Sequence, residues 1–307
     1  MRIQQTIRQL KIIFILILIA VFLRKIVIER IFAAPTRQEI NTEILDKKNY
    51  KSTHIYVYNL TDEEVLYSKN SQEKKAPASL TKLMTALVAM EKIEDYNQPA
   101  PIVPEIYQKM IQDNASMAGF FSKEQTNYED LLYGMLLPSG GECAGSLAYH
   151  TGGSTENFVS MMNKKASDLS LTNTAFKNPV GLDEEGHYTC AEDMAMIFKE
   201  ALKYEKFKDL LPKASIRSSK TLNHPEGLLM ESTLLKELPK YSQNGFTIIG
   251  GKSGTTYNAG VCLVSLGVKN DKEIITVVMG YPFEVITDPG DGHIVETIDI
   301  LESLELD

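Results

Sequence analysis

Ser79 and Lys82 stand three positions apart at the head of a run in which Leu80, Leu83, Met84, Leu87 and Val88 recur at helical spacing. Side chains at i and i+3 of a helix are neighbours, so the hydroxyl and the amine would meet. Taken alone, Ser79 reads first as a helix cap. A cap, however, wants Glu or Gln at the third helical position, and Lys82 there faces the positive end of the helix dipole. That field and burial both disfavour the ammonium, and a neutral amine beside a hydroxyl is a general base beside a nucleophile. The same spacing recurs at Ser71 and Lys74, but in a charged stretch that Pro77 soon follows, where nothing would fix a geometry.

Two further segments carry reactive groups. Leu136-Leu137-Pro138-Ser139-Gly140-Gly141-Glu142 reads as a helix end, a serine at a turn and a new helix start. Gly250-Gly251-Lys252-Ser253-Gly254-Thr255-Thr256 sets a cation and two glycines on or beside a strand that looks central. Glycine in a strand often marks close approach of another backbone or a ligand. A lysine followed by hydroxyls and free backbone groups suits capture of a carboxylate, although the stretch taken alone is also readable as a bulge or turn.

In this order the three elements resemble the active-site motifs of penicillin-binding proteins and serine β-lactamases: S-x-x-K, S-x-N, then K-T-G or K-S-G. The similarity extends to the D-alanyl-D-alanine carboxypeptidase branch. It is carried by Leu131–Leu137, by Asn157-Phe158 with Met162–Ala166, and by Phe176–Leu182. His187-Tyr188-Thr189 with Asp193-Met194-Ala195, and Ala259–Cys262, continue it, so that it spans residues 54 to 305. The resemblance implies an α+β fold of the DD-peptidase/β-lactamase type: an antiparallel sheet covered by helices, with a helical subdomain. It implies that Ser79 attacks the carbonyl between two terminal D-alanines, that Lys82 takes its proton, and that Ser139 relays a proton to the leaving amine. Lys252, Ser253 and Thr255 would hold the terminal carboxylate, with the N–H groups of Ser79 and Thr255 as the oxyanion hole. The implied partners are peptidoglycan stem peptides ending in D-Ala-D-Ala, with β-lactams as covalent inhibitors, and no cofactor.

The sequence departs from the family pattern at Gly141, where Asn is usual, so substrate contact at this position loses a side-chain amide. Two substitutes are open, Glu142 reaching inward or a water, and weakened or altered turnover is expected. Rival readings are a catalytically weak β-lactam or peptidoglycan sensor, for which Gly141 speaks, and a β-lactamase or esterase on the same scaffold. Endopeptidase action on cross-links uses the same chemistry.

These groups need a scaffold, and its elements are readable. Alternating runs at His54–Tyr58 and Glu64–Tyr67 predict a hairpin. A helix is expected from Ser79 to Ile93, and a capping box at Thr126 and Glu129 opens another to Leu137. Helices follow over Glu142–His150, Thr155–Leu169 and Ala191–Tyr204. Strands are predicted at Thr247–Ile249, Val261–Val268 and Glu273–Gly280, the last two joined by a turn at Asn270-Asp271, and a closing helix over Ile294–Leu304. Strands, helices, then strands again indicate an antiparallel sheet with a helical insertion.

The 307 residues carry a net charge of −8, and a basic stripe for nucleic acid is not expected on such a chain. Three widely spaced cysteines, Cys143, Cys190 and Cys262, exclude a fully paired disulfide framework and are expected to be buried, inert thiols, a single Cys143–Cys190 bridge remaining open. His187, Cys190 and Asp193 do not converge as metal ligands at a helix start, and no metal is expected. Arg2, Arg8 and Lys11 precede an unbroken apolar run, Ile12–Leu23. Its twelve residues span about 18 Å as helix, the length of an export signal's core, and the flanking sequence offers a poor cleavage site. Residues 1–35 are therefore expected to be an export signal retained as a membrane anchor, 36–53 a linker, and 54–307 one catalytic domain without a β-rich C-terminal domain, placed at the extracytoplasmic face of a bacterial membrane, or secreted if the signal is cleaved.

Overall fold

The computed structural model describes residues 35–306 together with Ile15, Leu16, Leu18 and Ile19. Apart from these four and Pro35, the expected export signal over residues 1–35 lies outside the described residues. Among the described residues, no helix is long and apolar enough to cross a membrane.

The order of elements is helix α1 (Arg37–Asp46), strands β1 (His54–Asn59) and β2 (Glu64–Lys69), a 3-10 turn (Ala78–Leu80) running into α2 (Thr81–Met90), then α3 (Pro104–Gln112), α4 (Tyr128–Leu136), α5 (Gly141–Gly152) and α6 (Thr155–Asp168). Helices α7 (Ala191–Ala201) and α8 (Glu205–Leu210) follow, then a short ribbon of β3 (Ser215–Arg217) and β4 (Leu229–Glu231). The long strands β5 (Phe246–Thr256), β6 (Gly260–Lys269) and β7 (Lys272–Tyr281) precede α9 (Gly292–Ser303). The main sheet is antiparallel in the order β2-β1-β7-β6-β5, as expected.

Alternation along the strands divides the apolar side chains between two cores. Tyr56, Tyr58, Ile275, Val277, Met279, Cys262 and Val264 face the helical side with α2 and α7. Ile55, Val57, Ile274, Val278 and Leu263 face the side closed by α1 and α9. The sheet is thus the middle of three layers. Asn270 and Asp271 both take positive φ, 49° and 59°, the two-residue turn that matches strand twist in a hairpin.

Three expectations need correction. Residues 36–46 are not a tether. Thr36 and Glu39 close a reciprocal capping box, Leu45 is buried, and the Asn41 amide exchanges hydrogen bonds with the Glu305 backbone at 3.0 and 2.8 Å. The capping box of α4 is Asn127 with Asp130, one residue later than expected, because the Thr126 hydroxyl donates instead to the Ala100 carbonyl at 2.6 Å. Strand β5 extends well past Ile249 through all of Gly250–Thr256, and it lies at the edge of the sheet, not at its centre, because β6 and β7 pair between it and the hairpin. All three cysteines are free and buried.

Candidate active site

Ser79 sits in the 3-10 turn and Lys82 in the first turn of α2. The residue before the nucleophile, Ala78, is held at φ 47°, a conformation that costs an L-residue energy and persists only where its surroundings impose it. Those surroundings are identifiable. The Lys177 N–H donates to His187 Nδ1 (2.9 Å), which leaves the ring proton on Nε2, 2.9 Å from Thr81 Oγ1. Thr81 in turn donates to the Ala78 carbonyl at 2.8 Å. Burial pushes His187 down to about 4, so the ring is a neutral brace.

Lys82 is 1% exposed, and its Nζ lies 3.0 Å from Ser79 Oγ and 2.8 Å from the Val180 carbonyl. Burial is the chief cause that pushes the Lys82 amine down to about 7, against the opposing pull of the Glu142 carboxylate. Near neutral pH the amine is therefore free to accept a proton from Ser79. The Val180 carbonyl is presented by a loop that Asn178 ties, its Oδ1 accepting from the N–H groups of Val180, Gly181 and Leu182. Thr85 donates to Pro179 in the same loop.

Across the cleft stands a second lysine. Lys252 is 1% exposed, and its Nζ lies 2.9 Å from Ser139 Oγ and 2.6 Å from the Ser253 carbonyl. Burial first, and repulsion from Lys82 second, drive its ammonium well below the usual lysine range. Ser139 itself holds φ 67° between α4 and α5, a second strained position at the site.

Strand β5 has a sheet neighbour on one side only and lies against the turn that carries Ser79. Pleating places Lys252 and Gly254 on one face and Ser253 and Thr255 on the other. Gly254 faces Ser79, and the Ser253 hydroxyl is engaged with Thr233 Oγ1 at 2.8 Å. Thr255 is half-buried further along the same edge strand. Gly141 is buried, and its N–H donates to the Ser116 carbonyl at 2.7 Å, so it offers no open surface to a substrate.

The structure thus brings together Ser79, Lys82, Ser139 and Lys252, as the motifs imply. Ser71 donates nothing to this cluster; its hydroxyl pairs with Ser68 at 2.8 Å. His187, Cys190 and Asp193 serve separately: the first braces Thr81, Cys190 caps α7, and Asp193 accepts from Asn173 and Thr174. Sequence reading missed the Val180 carbonyl, Asn178 and Thr233. The Asn-Pro turn signal at 178–179 was available for the first two. Thr233 meets Ser253 only through the tertiary fold.

A lysine rather than a histidine stands beside Ser79, which opens a helix against an edge strand, and this is the arrangement of the penicillin-binding fold. Comparison with known proteins narrows the class. The D-alanyl-D-alanine carboxypeptidase family, peptidase family S11, is matched over residues 41–282, and the chain belongs to it. The chain is 37% identical over 221 residues to the D-alanyl-D-alanine carboxypeptidase DacF of Bacillus subtilis, covering 71% of this chain and 54% of that protein. To DacC of Escherichia coli it is 31% identical over 225 residues, with 71% and 53% covered. The chain spans about half the length of the curated relatives it matches. Among solved structures it resembles the Streptomyces K15 DD-transpeptidase, with a TM-score of 0.73 at 25% identity over 83% of this chain and 97% of that one. Penicillin binding protein 5 from Haemophilus influenzae gives 0.70 at 25% identity, over 83% and 70%.

Proposed function

We propose that the protein is a serine-type D-Ala-D-Ala carboxypeptidase that releases the terminal D-alanine of peptidoglycan stem peptides through an acyl-enzyme on Ser79. The observation that carries this reading is the buried Lys82 amine, brought down to about 7 and set 3.0 Å from Ser79 Oγ. Ser79 Oγ attacks the carbonyl between the two D-alanines while Lys82 accepts its proton. The substrate lies extended along the free edge of β5, where strand-like pairing with backbone groups orients it. The N–H groups of Ser79 and Thr255 stabilise the oxyanion, whose charge develops only in the transition state. Ser139, hydrogen-bonded to Lys252, passes a proton to the departing amine, and Lys252 with the Ser253 hydroxyl receives the terminal carboxylate. Water then cleaves the ester, and D-alanine and the shortened peptide leave. A β-lactam enters as a cyclic counterpart of the dipeptide and acylates the same oxygen.

Stem peptides lie outside the cytoplasm, and the apolar run Ile12–Leu23 behind Arg2, Arg8 and Lys11 supports export and retention at the outer face of the membrane.

The test is release of D-alanine from a peptide ending in D-Ala-D-Ala by wild type and Ser79→Ala, with labelled penicillin in parallel. Release and labelling by wild type alone are expected. Labelling without release would favour the sensor reading, and neither signal from folded protein would end the assignment of Ser79.

A further inference from the structure

Glu142 is fully buried in the first turn of α5, three residues after Ser139. A buried carboxylate is costly unless its oxygens are engaged. Its Oε1 accepts two backbone hydrogen bonds, from Ala118 N at 2.7 Å and Gly119 N at 2.9 Å, while Oε2 has no hydrogen-bond partner among the described residues. Both N–H groups belong to the loop between α3 and α4 that passes over the middle motif.

That loop lies directly on the two glycines. A Cβ added at Gly140 would stand 2.7 Å from Ala118 Cβ and 2.8 Å from Ala118 N. One added at Gly141 would stand 2.8 Å from Met110 Sδ and 3.2 Å from both Ala115 Cβ and the Ser116 carbonyl. The Gly141 N–H to Ser116 bond closes the contact from the other side. The absence of side chains at 140 and 141 therefore makes room for residues 115–118, and Glu142 ties them down. Ser139, immediately upstream, holds a positive φ that needs such over-determination.

We propose that Glu142 is a positioning residue of the active site: its carboxylate pins the 114–119 loop onto Gly140 and Gly141, and this pinning holds Ser139 in register with Lys252 and the nucleophile. The inference rests on the Ser79 acyl-enzyme reading. The loop becomes a wall of the cleft beside Ser139, filling the space that a side chain at 141 would take. Burial is the largest influence on the Glu142 carboxyl and raises it above the usual carboxylate range. The N–H groups of Gly119 and Ala118 and the N-terminus of α5 pull the other way and favour the ionised form. The same charge reaches Lys82 and opposes the effect of burial on that amine. The other titratable groups facing Lys82 are the Cys143 thiol and Lys252, and burial drives both toward their neutral forms. Glu142 thus holds the loop by hydrogen bonds and reaches the base by charge alone.

The experiment compares the full chain as wild type, Glu142→Gln and Glu142→Ala, measuring the rate of Ser79 acylation by labelled penicillin across the neutral pH range. Gln keeps an oxygen for the two N–H groups and drops the charge; Ala drops both. Glu142→Ala is expected to acylate at least about tenfold more slowly at every pH, since small misplacements of reacting groups are costly. Glu142→Gln should retain most of the maximal rate, with its rising limb moved to lower pH because Lys82 loses a neighbouring negative charge. Wild-type rates and an unmoved limb in both folded variants would overturn the proposal. Should the alanine variant not fold, the limb of Glu142→Gln decides alone. Acylation of wild type without release of D-alanine would end the carboxypeptidase reading and leave this comparison intact, because acylation reports on Ser79 directly.

Discussion

Gly254 lies against the backbone nitrogen of Ser79: a Cβ built on the glycine would stand 2.7 Å from that nitrogen and 3.1 Å from Ala78 Cβ. Both neighbours belong to the tightly held turn before α2, so neither can swing aside. The edge strand and the nucleophile are therefore in contact only because position 254 carries no side chain, and the width of the cleft is set there. Gly254→Ala is expected to force β5 away from Ser79. Overpacking of this kind costs about 1–3 kcal/mol of stability, and the loss in acylation should be larger than that of folded protein. Thermal unfolding and penicillin labelling measured on one preparation separate the two. Equal labelling by Gly254→Ala and wild type would show that the contact does not set the cleft.

The rate of acylation should follow the free-amine fraction of Lys82. Its folded-state value is lowered to about 7, so below that pH the group is ammonium and cannot take the Ser79 proton. The rate should fall about tenfold per pH unit on the acid side and level off above it. Lys82→Met should lose about a hundredfold to ten-thousandfold at the plateau, the usual contribution of a general base. A flat profile through neutrality in wild type would remove Lys82 from the role.

Much of this arrangement can be read before any coordinates are known, and the exceptions have physical causes. The hairpin, β6 and β7 are legible because their faces meet two cores, giving dense β-branched residues with a period of two. Strand β5 is legible over only three of its eleven residues, since the part that lines the cleft is made of Gly, Lys, Ser and Thr, chosen for approach and charge rather than packing. Helix α1 is hidden by its polar surface: Leu45, the half-buried Ile44 and the buried Asn41 amide dock it, with Arg37 reaching Glu64 and Asp46 accepting from Tyr67. The capping box at Thr36 and Glu39 was its clearest local signal. The roles of Val180 and Thr233 depend on backbone and side-chain atoms delivered from far along the chain, where no spacing rule reaches.

Carboxylate capture by Lys252 should be linked to protons. Burial holds the free group toward neutrality, and an arriving carboxylate restores the ammonium, so binding takes up a proton. Affinity for a peptide with a free carboxyl terminus should therefore weaken as pH rises, while the amide-capped peptide should show no such trend. Calorimetry in two buffers of different ionisation enthalpy measures the uptake. Lys252→Met should erase both the uptake and most of the preference for the free acid. Affinity independent of pH in wild type would place the carboxylate elsewhere.

Restoring the family's asparagine at position 141 should weaken this protein. In a site open at that position, the amide would regain a substrate contact and raise turnover. Here Met110, Ala115 and Ser116 occupy the space within 2.8 to 3.2 Å of where the new Cβ would stand. Met110 can yield by rotating its side chain, but the Ser116 carbonyl is fixed by the Gly141 N–H, so the loop itself must lift. Lifting it would strain the bonds from Ala118 and Gly119 to Glu142 and loosen Ser139. Gly141→Asn is accordingly expected to lower the unfolding temperature and to slow acylation by about tenfold, a cost typical of a displaced active-site wall. Paired with Glu142→Ala, the second loss should be much smaller than the first, because both changes release the same loop. Full additivity of the two, or faster acylation by Gly141→Asn alone, would show that the loop is not what holds Ser139 in place.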